Sequence, residues 1–581
     1  MRFLALLALC LRIQAAETFL VRNVRVFDGV RVIEKTSVLV SRGVIQQVGP
    51  DLLPPKDAQV VGGEGKTLLP GLIDAHTHIN SVNDLRQALA FGVTTELVMF
   101  NWPGLQSQFR ALDRKGQTPQ MADARFADIL ATVPGGHGTQ YGLPIPVIRR
   151  PQEAQAFVDA RIAEGSDYIK IIYGAGGPTI SRETLAALVT AAHERGKLAV
   201  AHITSIQNAH EALEAGVDGL MHMIMDARPD PELAALARKH GAFVVPTFSV
   251  QRNTICGMAG GREFSENPRF TPDLMLSAIK ALALAPGARY PASVCEVGPA
   301  AIPSLRDAGV PILVGTDATN STVAHGITVH GELDLLVKAG LTPIEALAGA
   351  TSAAADAFRL KDRGRIAPGQ RADLLLVNGD PTKNILDTRE IAAVWKQGHA
   401  FDRTAYRAVV HTLDDPLVPA GSQSGKISDF EKGRVETNFG SSWLAFDGVR
   451  IQTVAGGSQT KRGSLAVSGE IEAGRPPYVW PGILFMPVNP NLYFQREADL
   501  SSWSGFAFWS RGDGGTCRVI AKTTDGQQEK TFVAGPDWQR HTFSFTDLNI
   551  PSGKGLVSII IAGPNQPGRF AFQLDDVELF K

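Results

Sequence analysis

Cysteine is scarce in this chain of 581 residues: there are four, at positions 10, 256, 295 and 517, with no CxxC pair. That pattern speaks against a zinc ribbon and a thioredoxin-type redox site. Net charge is nearly absent as well, since 57 Lys and Arg face 58 Asp and Glu, for a formal −1. The balance argues against a protein that grips nucleic acid through a broadly basic surface. No apolar run reaches the roughly 20 residues that span a bilayer, and no solenoid-period repeat or low-complexity run is present. Glycine and proline, 58 and 35 residues, stay well below a disordered or collagen-like share. What is there, 44% hydrophobic and 20% charged residues, suits a globular protein with substantial cores. At about 150 residues per domain the length predicts three or four domains.

The chain opens MRFLALLALCLRIQAAE. Arg2, the apolar run from Phe3 to Leu11 and the small Ala15 and Ala16 read as a secretory signal over residues 1–16. The expected location is therefore secreted or periplasmic. Arg12 and Gln14 depart from the usual pattern. Cleavage would leave Cys256, Cys295 and Cys517. A Cys256–Cys295 disulfide and buried free thiols both remain open.

From residue 17 to 69 short β-type runs alternate with turns, as in FLVRNVRVFDG and SVLVSRGVIQQVG. From Pro70 the rhythm changes. Eight apolar runs, among them GLIDAHTHI, DYIKIIYGA, KLAVAHIT, DGLMHMIM and VPILVGTDA, are separated by helix-like stretches such as SRETLAALVTAAHERG and SIQNAHEALEAG, which end in Gly. Continuous apolar runs with helical crossovers predict buried parallel strands. The expected fold class is α/β: a (β/α)8 TIM barrel over residues 70–360. Residues 17–69 and 361–415 should form one small composite β domain from both flanks. Residues 416–426 read as a linker, and 427–581, with five of the seven tryptophans, as an independent β-sandwich.

The strongest chemical signal is polar residues at the ends of apolar runs. His76 and His78 close GLIDAHTHI, and positions i and i+2 of a strand share a face. Lys170 interrupts YIKIIYG, His202 follows LAVA, His222 sits in GLMHM and Asp317 ends ILVGTD. In a (β/α)8 barrel all strand C-termini converge on one face, where His and Asp can bind metal. A buried lysine there is costly unless paired or modified.

GLIDAHTHI, YIKI, AHI, MHM and GTDA, in this order, resemble the metal-dependent amidohydrolase superfamily, and GRIAPGQRADLLLVNGDP resembles the segment after its barrel. PGGHGT at 134–139, GSDYIKI and GLTPIEAL resemble its imidazolonepropionase-like and prolidase-like branch. The resemblance implies two divalent metal ions, with zinc the best match to mixed N/O ligation. It implies His76, His78 and Asp317 on the first ion and His202 and His222 on the second. Lys170, as a CO2-derived carbamate, would bridge them. Relatives commonly carry Glu before the histidine at 222, where this chain has Met221.

Asp317 is the expected general base in hydrolysis of an amide C–N bond. His137, in PGGHGTQYG, is the candidate oxyanion stabiliser or carboxylate contact. Tyr141 and Tyr173 are pocket candidates, and His325 and His330 read as either mouth-lining or solvated residues. The insertion QRNTICGMAGGREFSENPRFTPD is expected to act as a lid.

The C-terminal runs LSSWSGFAFWSRGDGGTCRVI and FQLDDVELF resemble the complex I intermediate-associated protein 30 family, which implies a galactose-binding-like jelly roll. Tyr478, Trp480 and Trp509 are then candidates to stack on a glycan, and Asp575 and Asp576 either to hold a cation or to lie in a solvated turn. The leading expectation is a hydrolase of a small-molecule substrate, a dipeptide or N-acyl amino acid. A cyclic amide or imidazolone hydrolase is the alternative. A carbohydrate-binding protein with an inactive barrel is the non-enzyme alternative. An oligomer stays open.

Overall fold

The fold is described from a computed structural model. It covers residues 18–581 apart from 102, 117, 142, 175, 227–230, 414–424, 432, 440, 447, 460–461, 472, 474–479, 489–496 and 524–525. The signal reading, most of the linker and Tyr478 lie outside the described residues.

Both flanks of the chain meet in one eight-stranded sheet. Its centre is Phe19–Phe27, antiparallel to Val32–Ser41 and parallel to Lys66–Pro70. Leu374–Asn378 adds antiparallel to Lys66–Pro70 and carries Ile391–Lys396 beyond it. The alternation read in the sequence buries Phe19, Val38, Val40 and Trp395 on one side, with Phe19 and Trp395 stacked at 5.0 Å.

Between these flanks the strands are parallel. Leu72–Thr77, Val93–Val98 and Asp123–Phe126 form one sheet. Ile169–Ile172, Ala199–His202, Gly219–Met221 and Phe243–Val245 form another. A parallel bridge Ala131↔Ile171 links the two sheets at one edge. At the other edge Val244 pairs with Ile312, and Ala318 with Thr77. The eighth run, VPILVGTDA, thus makes single bridges rather than a regular strand. Asp74 fastens it: buried, it accepts the Thr316 hydroxyl at 2.6 Å and the Thr316 N–H at 3.0 Å.

The helices between these strands start and stop where local chemistry dictates. Ser181 and Ser205 cap Arg182–Glu194 and Ile206–Glu214 by accepting backbone N–H groups. Gly196 and Gly216 follow those helices at φ 68° and 86°, left-handed values that glycine adopts without steric cost. Beneath the strands, the buried Asp123 carboxylate pairs with Lys396 at 2.9 Å, Arg371 at 2.7 Å and Arg363 at 2.5 Å. This cluster pins the parallel strands to the flanking sheet. The insertion after Phe243–Val245 is closed by a disulfide between Cys256 and Cys295.

The C-terminal residues form two antiparallel sheets. They share a core that includes Trp443, Phe485, Phe506, Phe508, Ile559 and Ile561. Three expectations are corrected here. Trp480 is 1% exposed and cannot offer a face to a sugar. Neither Asp575 nor Asp576 lies in a solvated turn, because both belong to the strand Gly568–Phe580. Asp575 is buried and accepts the Ser458 N–H, while Asp576 pairs with Lys426 at 3.1 Å. No helix among the described residues is long and apolar enough to cross a membrane.

Candidate metal centre

The polar strand ends converge. Ligand atoms of His76, His222 and Asp317 all lie within 4.8 Å of one another. Asp317 Oδ1 sits 2.9 Å from His78 Nε2 and 3.5 Å from His76 Nε2. The His202 ring lies 4.4 Å from that of His222, centroid to centroid. His222 and Asp317 both adopt left-handed backbone, at φ 70° and 61°. Non-glycine residues pay about 1–3 kcal/mol for such conformations, a strain commonly found where a side chain must be aimed.

His78 and His222 are each oriented by the second ring nitrogen. His78 Nδ1–H donates to the Phe100 carbonyl at 3.1 Å. Its Nε2 is then left either to carry a second proton or to share a cation with the Asp317 oxygen it faces. His222 Nδ1 contacts the Thr247 hydroxyl at 2.7 Å. Such outer contacts fix which nitrogen faces a metal.

Burial sets the protonation states. It holds His76 and His202 well below the usual imidazole range, and takes His222 down to about 3 and His137 to about 4. The imidazoles are therefore neutral at pH 7, the form that binds metal. For Asp317 burial pushes upward, but the hydrogen bond it accepts from His78 and the electrostatic pull of His78 and Lys170 hold the carboxyl below its ordinary value. Lys170 is 2% exposed, and its Nζ has no hydrogen-bond partner among the described residues. Burial lowers its pKa to about 7. His76 Nδ1 is likewise buried without a partner. Neutral imidazoles, an anionic carboxylate and two orphaned buried nitrogens form a donor set that fits divalent metal.

His137 joins the cluster, its ring 5.1 Å from that of His202. The Gln140 amide donates to His137 Nδ1 at 3.0 Å, so Nε2–H is left as a donor. Tyr141 stands edge-on to His137 and stacks on Phe100. Burial, reinforced by Asp317, raises its hydroxyl to about 12, so it too is a neutral donor. Tyr173 is not brought in: its hydroxyl bonds Glu211 on the helix Ile206–Glu214. His325 and His330 are neither solvated nor at a mouth. His325 is fully buried against Glu96 at 2.9 Å. His330 is held by Thr388 and the Phe91 carbonyl.

Sequence reading missed Asp74, Thr247 and the Glu96–His325 pair. Asp74 had a signal, as a carboxylate in the apolar run two positions before His76. The partners of Thr247 and Glu96 lie far away in the chain and left none.

Residues 67–401 match the amidohydrolase family. The chain is 28% identical to the imidazolonepropionase of Deinococcus radiodurans over 389 residues, which is 62% of this chain and 88% of the relative. Among solved structures, a putative prolidase from Bifidobacterium longum superposes with a TM-score of 0.54 at 25% identity, covering 68% of this chain and all of that one. An Xaa-Pro dipeptidase with methionine bound in its active site gives 0.54 at 23% identity, covering 66% of this chain and all of that one.

Proposed function

The chain belongs to the amidohydrolase family, a metal-dependent family of hydrolases acting on carbon–nitrogen bonds, and on that premise we propose that it hydrolyses the amide bond of a dipeptide or N-acyl amino acid. The observation that carries the proposal is the cluster itself: His76, His78, His202, His222 and Asp317 brought together, with Lys170, buried and without a hydrogen-bond partner among the described residues, near enough to act electrostatically on His76, His202 and Asp317. The circuit of parallel pairings supports reading residues 70–360 as a (β/α)8 barrel with this cluster at its C-terminal face.

In this reading His76, His78 and Asp317 would hold one divalent ion and His202 and His222 a second, with zinc the best match to the donors. The Lys170 amine, neutral in part at pH 7, would add to CO2 with release of a proton, and the resulting carbamate would complete the set. Bound there, such ions would supply Lewis acidity for the scissile carbonyl and lower the pKa of water. Asp317, kept ionised by its neighbours, takes the proton of the attacking water and delivers it to the leaving nitrogen. His137 Nε2–H and the Tyr141 hydroxyl donate toward the oxygen that gains charge.

The likeness to the putative prolidase supports a dipeptide. The likeness to an imidazolonepropionase supports a second reading, ring opening of a cyclic amide. We place the enzyme outside the cytoplasm on the leader-like residues 1–16 and the Cys256–Cys295 disulfide. The C-terminal sheets are read as a jelly roll of the complex I intermediate-associated protein 30 type, with Tyr478 and the half-buried Trp509 as aromatic candidates for a glycan.

A mass-spectrometric turnover screen tests the function. The protein, loaded with zinc and bicarbonate, is given dipeptides, N-acyl amino acids and cyclic amides. Release of free amino acids that a chelator abolishes is the expected result. Ring opening without dipeptide cleavage replaces the first reading with the second, and silence across the library refutes both.

A further inference from the structure

The C-terminal sheet built around Lys554–Ala562 is apolar on both faces. Along Thr516–Thr523, Cys517, Val519 and Ala521 enter the sandwich core, whereas Ile520 lies on the opposite face. Ile559 and Ile561 point inward and Ile560 outward; Ile483 and Phe485 point inward and Leu484 outward. Period-2 alternation is expected of a strand, but the outward set should be polar if it met water. Ile520, Ile560 and Leu484 are instead fully buried, packed in one cluster with Phe100, Leu130 and Leu143.

These partners belong to the catalytic face. The ring of Phe100 lies 6.4 Å from that of His78. Leu130 and Leu143 bracket the loop that carries His137 and Tyr141. In the seam, Lys522 Nζ donates to the Tyr141 carbonyl at 2.6 Å, and the buried Trp480 ring lies 5.6 Å from the ammonium. A half-buried cation in such a seam is costly unless satisfied. Here a backbone carbonyl and an aromatic face satisfy it. Burial also lowers the Lys522 pKa to about 8.

We propose that the C-terminal module is a wall of the catalytic site, and that Lys522 is a positioning residue that fixes the 134–145 loop, and with it His137 and Tyr141, over the metal centre. The proposal deepens the hydrolase reading above and rests on it. The aromatic pair Phe100–Tyr141, held from behind by this wall, gives the pocket an apolar, planar side. It suits a substrate with an apolar or ring-bearing group next to the scissile amide.

Full-length Lys522→Met, Lys522→Arg and wild type are compared by hydrogen exchange and mass spectrometry, with metal content measured on the same samples. Arg540→Ala serves as control, because its pair with Glu578 lies on the other sheet. Loss of a charge-assisted hydrogen bond is expected to speed exchange across 134–145 roughly 10- to 100-fold, with metal content unchanged. Lys522→Arg should restore most of the protection, and kcat/KM for Ala-Pro should fall and recover in parallel. If Lys522→Met does not fold, Lys522→Gln takes its place. Unchanged exchange in this loop overturns the proposal, as does an equal effect from Arg540→Ala. Failure of the wild type to cleave Ala-Pro counts against a dipeptide substrate, whereas the exchange comparison needs no turnover.

Discussion

Asp123→Asn should be among the most destabilising single changes outside the metal centre. The carboxylate is buried and faces three cations within 2.9 Å. They would not suffer equally. Arg371 keeps Asp373, and Arg363 keeps Asp362 at 2.9 Å. Lys396, fully buried, would be left with Asp373 at 4.0 Å. Removing one partner from a buried ionic cluster costs about 3–5 kcal/mol, mostly because a charge remains in a poor dielectric. That lowers Tm by roughly 6–20 °C. The same reasoning predicts the repair. Adding Lys396→Met removes the stranded charge and should recover most of the loss, a coupling a double-mutant cycle measures directly. Thermal and urea melts of the four proteins are sufficient. A single-variant loss below about 1 kcal/mol, well under that expected for a buried cluster, would refute the reasoning, as would a double variant no better than Asp123→Asn. The pH dependence has a definite sign. The cations hold the Asp123 carboxyl well below its ordinary value, against the opposing effect of burial. Its contribution is therefore complete above about pH 4, the unfolded value, and is lost as pH falls below it.

Three further outcomes are expected. Asp317→Asn should lower kcat by about 10²–10⁴-fold, the worth of a general base, with the circular dichroism spectrum unchanged; substantial remaining activity would show that the base lies elsewhere. In metal-free protein, buried neutral His76, His137, His202 and His222 take protons at about pH 6.5 only once unfolded. Stability should therefore fall as pH drops from about 6.5 toward 4, the folded value of His137, and a flat Tm over that range would contradict it. Reducing the Cys256–Cys295 disulfide, which closes a 39-residue separation, should cost about 4 kcal/mol by loop entropy; an unchanged melt after complete reduction, checked by thiol labelling, would show the insertion contributes nothing to global stability.

Much of the site was legible because polar residues at the ends of apolar runs have few structural reasons to be there. Runs such as GLIDAHTHI and DYIKIIYGA carry the strand and the ligand in one stretch, so position and chemistry are read together. The last run was less legible. Asp317 is in left-handed backbone and its run makes isolated bridges, which a continuous apolar pattern does not reveal. His325 reads as a mouth-lining or solvated residue because its partner, Glu96, lies 229 positions away. Trp480 looked like a sugar platform for a related reason. Alternation tells which face of a strand a residue occupies, but not what covers that face.

The ties that complete the site run far along the chain. Thr316 meets Asp74 across 242 positions, and Lys522 meets Tyr141 across 381. During synthesis, therefore, His76 and His78 meet Asp317 only after the eighth run has emerged, and Tyr141 meets Lys522 only after the C-terminal sheets have. The histidines and Asp317 can thus come together before the sheet that packs against Phe100, Leu130 and Leu143 exists.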